Sequence, residues 1–398
     1  MLLQGRIFDG ESFIENGEVQ IDENSENIEF VNERRSKISR VEDKKLSDEI
    51  TIMPALIDAH IHFFGTKNYS LLDWVLTPDV MLTINSVNDA RKLIDSGFTT
   101  VRALGDKVSL DMSKAEKLGL LIGPRIISAG YSLACTGGND DPKSLPLEIA
   151  KKVSYSYYCD GPWECRKAVR TNLRNGAEVI KAYASTSFVG GGIIRPELTE
   201  EELAAIAEES HHAKIKAAVH AYGSEALNNS IEAGFDSIEH GLGLTEDIAE
   251  EIKKRGIFYV PTLAVYKRKR EDKNSVRDEM IRRHIEKEME IAGRVRLKIA
   301  AGTDYVGSLN EPHGQNYLEV KFLSETLGNI EALKSATSRA ADCLGLSRIG
   351  TIAPGKEADL ILVRGDPGRS ISALSPDNIL MVIKRGRVVK NILSQAGF

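Results

Sequence analysis

Short apolar runs punctuate the middle of the chain. They fall at residues 52–60, 98–104, 125–130, 177–183, 216–221, 235–240, 257–262 and 298–303, and helical patterns separate them. Residues 199–213 give the clearest helix. Thr199 stands at the cap position, Glu202 follows three residues later as in a capping box, and Leu203, Ile206 and Ala207 share one face. Residues 224–233 and 278–297 read in the same way. Eight strand-like runs alternating with helices over about 300 residues predict an α/β fold, a parallel (β/α)8 or TIM barrel, in preference to an open doubly wound sheet. No GxGxxG or phosphate loop follows the first run to favour the open sheet.

The two ends differ from this middle. Residues 2–8, 17–22 and 27–31 read as short strands, and residues 37–49 as a charged surface connection. At the other end, residues 358–363, 381–384 and 387–390 read as strands, with turn signals at Gly365-Asp366-Pro367 and Arg385-Gly386. The pattern predicts a small β-sandwich domain built from residues 1–53 and 351–398, with the barrel spanning 54–350.

Composition narrows the function classes. Of 398 residues, 42% are hydrophobic and 28% charged, ordinary values for a globular protein. The net charge of −6 offers no electrostatic footprint for nucleic acid. No apolar run reaches the ~18 residues that span a bilayer, and the N-terminus lacks an apolar leader. Cys135, Cys159, Cys165 and Cys343 show no CxxC spacing and read as reduced thiols. The expectation is a cytoplasmic protein, a homo-oligomer, acting on a small molecule, with no nucleic-acid or membrane partner.

The eight histidines then change the picture. Four sit at the ends of strand-like runs: His60 and His62 at the first, His220 at the fifth, His240 at the sixth. Strand ends on one side of a barrel face a common site. His60 and His62 share one face of their strand, because side chains alternate with period two, and paired imidazoles begin a zinc site. Lys181 lies in the apolar fourth run, where a charged amine is costly. Burial favours the neutral amine, which can react with carbon dioxide to give a metal-binding carbamate. Asp304 ends the eighth run, where a carboxylate can bind metal and accept a proton. His211, His212 and His284 fall on helical patterns and read as surface residues.

Asp58-Ala59-His60-Ile61-His62, Val179-Ile180-Lys181, Val219-His220-Ala221-Tyr222-Gly223, Ile238-Glu239-His240-Gly241 and Ala301-Gly302-Thr303-Asp304 together resemble the amidohydrolase superfamily. Gly97-Phe98-Thr99-Thr100-Val101-Arg102, Thr136-Gly137-Gly138 and His313-Gly314 are similar to its imidazolonepropionase-like branch, which holds Xaa-Pro dipeptidases, Xaa-Arg/Lys dipeptidases and zinc arginine carboxypeptidases. The chain departs from the branch at Asn139, where His is common.

The resemblance implies two divalent ions, zinc by preference, with a carbon dioxide-derived carbamate on Lys181 bridging them. It assigns His60, His62 and Asp304 to the first ion and His220 and His240 to the second. It makes Asp304 the proton shuttle and Tyr222 the donor to the developing oxyanion. Co and Mn also suit this donor set. The implied reaction is hydrolysis of an amide or peptide bond, releasing an amino acid from a dipeptide or an N-acyl amino acid. A lactone, carbamate or urea hydrolase on the same site is the alternative, as is a mononuclear deaminase or imidazolone-ring hydrolase. Lys181, and the lack of a Glu close behind His220, argue against the deaminase. A substrate carboxylate is expected at the backbone of Gly137, Gly138 and Asn139, with His313, Arg195 and Tyr183 as further substrate-binding residues.

Overall fold

The computed structural model describes all residues except 23, 34–48, 67–69, 189–193, 268–275, 309–310 and 394–398. The charged connection expected over 37–49 therefore lies, but for Glu49, outside the described residues. The strands in chain order are β1 (Leu2–Phe8), β2 (Phe13–Asp22), β3 (Asn27–Glu33), β4 (Ile50–Pro54), β5 (Leu56–Ile61), β6 (Phe98–Ala103), β7 (Arg125–Ser128), β8 (Ser132–Ala134), β9 (Ser156–Tyr158), β10 (Val179–Tyr183), β11 (Lys216–Tyr222), β12 (Ser237–Leu242), β13 (Phe258–Val260), β14 (Lys298–Ile299), β15 (Leu360–Arg364), β16 (Ile379–Lys384) and β17 (Arg387–Asn391).

Strands from both termini form one seven-stranded sheet in the order β17-β16-β15-β4-β1-β2-β3. Alternation along β15 explains how it packs. Leu360 and Leu362 join Leu3, Ile7, Val19 and Ile52 in a core of the sheet's own. Ile361 and Val363, pointing the other way, join the larger core of the α/β region. The two regions thus share strands whose faces are both buried.

The middle of the chain supplies parallel strands in two sheets, β5-β6-β7 and β14-β13-β12-β11-β10-β8-β9. All eight apolar runs contain a strand. β5, β10 and β12 are buried at every position, as parallel strands covered on both faces require. Hydrogen bonds link the two sheets at both margins. Ala59 N donates to Ala301 O at 2.8 Å and Asp304 N to His60 O at 2.7 Å. On the other side Glu178 N donates to Ser128 O at 2.9 Å. β8 and β9, three residues each, are too short for a periodic signal and were not expected.

The helix Glu200–His212 carries the expected capping box. Thr199 accepts from Glu202 N, and the Glu202 carboxylate accepts from Thr199 N at 2.7 Å. The helical pattern over 278–297 is interrupted: a π-helical turn, His284–Glu288, joins the helices Val276–Arg283 and Met289–Val295. That turn corrects the placement of His284, which is buried. It hydrogen-bonds Glu288 through Nδ1 and the Pro261 carbonyl through Nε2, both at 3.0 Å. His211 and His212 are exposed as expected.

The cysteine reading also needs correction. Cys159 and Cys165 form a disulfide, and Cys135 and Cys343 are free. Cys159 follows β9 and Cys165 lies in the first turns of the helix Pro162–Asn175, so the intervening turn returns the chain to a Cα separation of 5.0 Å, within disulfide range. Chain spacing does not show that return. The bond removes the argument from thiols for a reducing compartment. Among the described residues no helix is long and apolar enough to cross a membrane.

Candidate active site

The strand ends bring His60, His62, Lys181, His220, His240 and Asp304 to the lining of one cavity, with Tyr183 and Tyr222 beside them. The imidazoles form a row. Ring centroids lie 5.4 Å apart for His60–His62, 5.1 Å for His60–His240 and 4.6 Å for His220–His240. The His62 and Asp304 side chains approach at 3.1 Å. Ligating atoms of His60, His62 and Asp304 all lie within 4.8 Å of one another.

Each imidazole has one nitrogen on an outer partner and turns the other to the cavity, where that of His62 meets Asp304. His60 Nδ1 pairs with Glu239 Oε2 at 2.8 Å, His62 Nδ1 with the Gly105 carbonyl at 2.8 Å, and His240 Nδ1 with Thr262 Oγ1 at 2.8 Å. His220 is turned the other way, with Nε2 3.4 Å from the Thr186 carbonyl. His60 Nε2 is buried with no hydrogen-bond partner among the described residues. Buried polar atoms are ordinarily satisfied. An outer partner on one ring nitrogen and an open second nitrogen is the arrangement of metal-ligating histidine. The donor set therefore fits divalent ions.

Burial holds His60, His220 and His240 well below the usual imidazole range, and the nearby Lys181 adds to this for each. Neutral rings are the ligating form. Burial also lowers the Lys181 amine. Burial would raise the Asp304 carboxyl, but His60 and His62 outweigh it and keep the group below its ordinary value.

The backbone is bent to aim these groups. His240, Thr262 and Asp304 all have positive φ, at 67°, 51° and 58°. Left-handed conformations are uncommon for non-glycine residues, and strain of this kind gathers at functional sites. Gly302 allows the chain entering Asp304 to lie against β5. A Cβ there would come within 2.5 Å of Val260 Cγ1 and 2.8 Å of His60 Cβ.

Several supporting residues, some of them inside the motifs quoted above, were given no role by the sequence. Glu239 is shared by His60 and the fully buried Arg102, whose Nη2 donates to Glu239 Oε1 at 2.7 Å and whose Nη1 donates to Ser237 at 3.0 Å. Asp58 accepts from Thr303 N and Oγ1, at 3.0 and 2.8 Å, and from Asn316 at 2.7 Å. Asp140, in the cavity lining, accepts from Ser132 at 2.8 Å and Tyr155 at 2.9 Å. These partners lie 8 to 258 residues apart in the chain, so spacing could not reveal them.

The expected carboxylate cradle is not built as the sequence implied. Gly137 N donates to Asp141 at 3.0 Å and Gly138 N to the Cys135 carbonyl at 2.9 Å, so their amides are committed within the loop. Gly137, Gly138, Arg195 and His313 are not among the cavity-lining residues. Arg195 is exposed. His313 is buried and donates from Nε2 to the His62 carbonyl at 3.0 Å, so it supports the strand end. Asn139 does line the cavity, where its Oδ1 accepts from Ser187 N at 3.0 Å.

Residues 51–389 match the amidohydrolase family. Ochratoxinase of Aspergillus niger is 29% identical over 376 residues, covering 85% of this chain and 75% of that protein. The crystal structure of A. niger ochratoxinase superposes with a TM-score of 0.89 at 25% identity, covering 98% of this chain and 95% of that one. That of a Xaa-Pro dipeptidase with methionine bound in its active site superposes with a TM-score of 0.82 at 30% identity, covering 98% and 99%.

Proposed function

The chain belongs to the amidohydrolase family and is a hydrolase acting on amide C–N bonds, and from that premise we propose that it is a binuclear metal-dependent enzyme releasing an amino acid from a dipeptide or N-acyl amino acid. The observation that carries this reading is the convergence of four imidazoles, a buried lysine and a carboxylate on one cavity. In it, the eight parallel strand ends belong to a closed (β/α)8 barrel spanning residues 54–350, and residues 1–53 and 351–398 form the composite β-domain. His60, His62 and Asp304 would hold one ion and His220 and His240 the other, and Lys181, as a carbamate, would serve both.

Bound divalent ions, zinc by preference, would acidify water and polarise the scissile carbonyl. The chain's own residues do the rest. Asp304 accepts a proton at its carboxylate and delivers it to the leaving nitrogen. Tyr222 Oη lies 2.6 Å from Tyr266 Oη; with Tyr266 as donor in that pair, the Tyr222 hydroxyl turns its own hydrogen toward the developing oxyanion. One such donor is worth about 3 kcal/mol of transition-state stabilisation. The apolar side chains left exposed at Val80, Ile84 and Val87, on one face of the helix Asp79–Asp95, support the homo-oligomer.

The test is metal content with amino-acid release. Elemental analysis of the purified enzyme is expected to give two divalent ions per chain. A chelator is expected to abolish release of amino acid from a library of dipeptides and N-acyl amino acids, and added zinc to restore it. One ion per chain with deamination of a heterocycle, or turnover confined to lactones or ureas, would overturn the proposal.

Glu239 offers a more local test. In Glu239→Gln the new amide has one acceptor and one donor for a buried site that needs acceptors toward Arg102, Ser237 and His60. One contact must face donor to donor, so His60 loses its fixed orientation. Metal affinity, read by competition with a chromogenic chelator, is expected to fall about 10–100-fold. Unchanged affinity would show that His60 is held by its backbone alone.

A further inference from the structure

The cavity has two unlike flanks, and neither repeats the carboxylate loop expected from the sequence. Beside His62 stand Phe64, Trp74, Tyr155 and Val306. The His62 ring stacks on Phe64 at 5.0 Å and 9°, and Trp74 stacks on Phe64 at 4.3 Å and 18°. Phe64 therefore has its faces taken up by stacked aromatic neighbours, with Tyr155 tilted against it at 4.8 Å. Ring edges carry the positive end of the aromatic quadrupole, whereas cations seek faces. This flank suits an uncharged apolar or aromatic group and disfavours an ammonium.

Among the described lining residues the carboxylates are Asp140 and Asp304. Both are committed. Asp140 Oδ2 accepts from Ser132 and Ser156, and Oδ1 from Tyr155 and Asn139. Asp304 lies against His60 and His62. Neither is spare for the α-ammonium of a free dipeptide.

The opposite flank, beside His220 and His240, holds Phe188, Tyr222 and Tyr266, and with them the only guanidinium among the described lining residues, that of Arg277. Arg277 lies over the Phe188 ring at 4.9 Å, and its Nε is buried with no hydrogen-bond partner among the described residues. A planar fork of donors, steadied on an aromatic face, is suited to bidentate capture of a carboxylate.

We infer that the substrate is an N-acyl amino acid, with an uncharged aromatic or bulky apolar acyl arm seated on the Phe64–Trp74 flank and its carboxylate held by Arg277, and not a dipeptide with a free ammonium. The inference rests on the amide-hydrolase reading above. The reaction adds one water across the C–N bond, giving the acyl carboxylic acid and the free amino acid.

Three matched substrates test it on the metal-loaded enzyme. N-(3-phenylpropanoyl)-phenylalanine differs from phenylalanyl-phenylalanine only by the α-ammonium, and its C-terminal amide differs only by the carboxylate. The acyl amino acid is expected to exceed both the dipeptide and the amide in kcat/KM by at least about tenfold, the scale of one charge-assisted hydrogen bond. In Arg277→Met the acid-to-amide ratio is expected to fall to near one, while Arg277→Lys, which keeps a cation, retains part of the preference. A dipeptide turned over as fast as its desamino analogue, or an Arg277→Met enzyme that still prefers the acid, overturns this inference alone. Failure on all three, with turnover of a lactone or urea, overturns the amide-hydrolase reading and this inference with it.

Discussion

Lys181→Met is expected to lose bound metal and at least about three orders of magnitude in turnover, since metal polarisation supplies several kcal/mol and each 1.4 kcal/mol is tenfold. Lys181 is 1% exposed, at the centre of β10, and burial lowers its amine toward the neutral form. Only the neutral amine attacks carbon dioxide, forming a C–N bond and releasing one proton to leave a carbamate. Of the carboxylates that act on this amine, Glu239 is held by Arg102 and His60 and Asp140 by Ser132 and Tyr155, so a carbamate on Lys181 is left to supply the anionic bridge two cations need. Methionine keeps the length and apolar stem of lysine, so the strand is expected to fold. Short carboxylic acids, entering the space left by the carbamate, are expected to restore part of both metal content and rate. Wild-type turnover in Lys181→Met would remove lysine from the site's chemistry.

Asp304→Asn is expected to keep the fold and much of the metal but lose about two to four orders of magnitude in kcat, the range assigned to general acid–base catalysis. The substitution is unusually clean here. Asp304 sits at φ 58°, in the left-handed region that Asn tolerates as well as Asp does. The amide preserves shape and one ligating oxygen but cannot carry the proton from water to the leaving nitrogen. The acid limb of the pH–rate profile is expected to change with it. Near-normal turnover in Asp304→Asn would show that the proton moves by another group.

Periodicity located eight of the ten parallel strands of the α/β region because each lies in a continuous apolar run, several of them marked by a chemically distinct residue, as at Ile180-Lys181 and Thr303-Asp304. The metal-type residues were legible for the same reason. Strand order in the chain fixes which ends share a side, so His60, Lys181, His220, His240 and Asp304 could be grouped before any contact was seen. β8 and β9 were not legible, since three residues hold less than two periods of alternation.

What the tertiary structure alone decided is everything that depends on contacts between distant segments. The commitment of the Gly137 and Gly138 amides, the Arg102–Glu239–His60 chain and the disulfide between Cys159 and Cys165 all follow from loop and side-chain geometry. So does the burial of His284, which a π-helical turn rotates inward against an amphipathic pattern that places it at the surface. The cavity-lining groups Phe64, Trp74 and Arg277 come from loops and helices beyond the strand ends. The chain itself determined the strands and the chemistry at their ends, because burial on both faces imposes a pattern on every residue of a strand. It left the walls of the cavity undetermined, because loop residues answer to neighbours hundreds of positions away and to no local period.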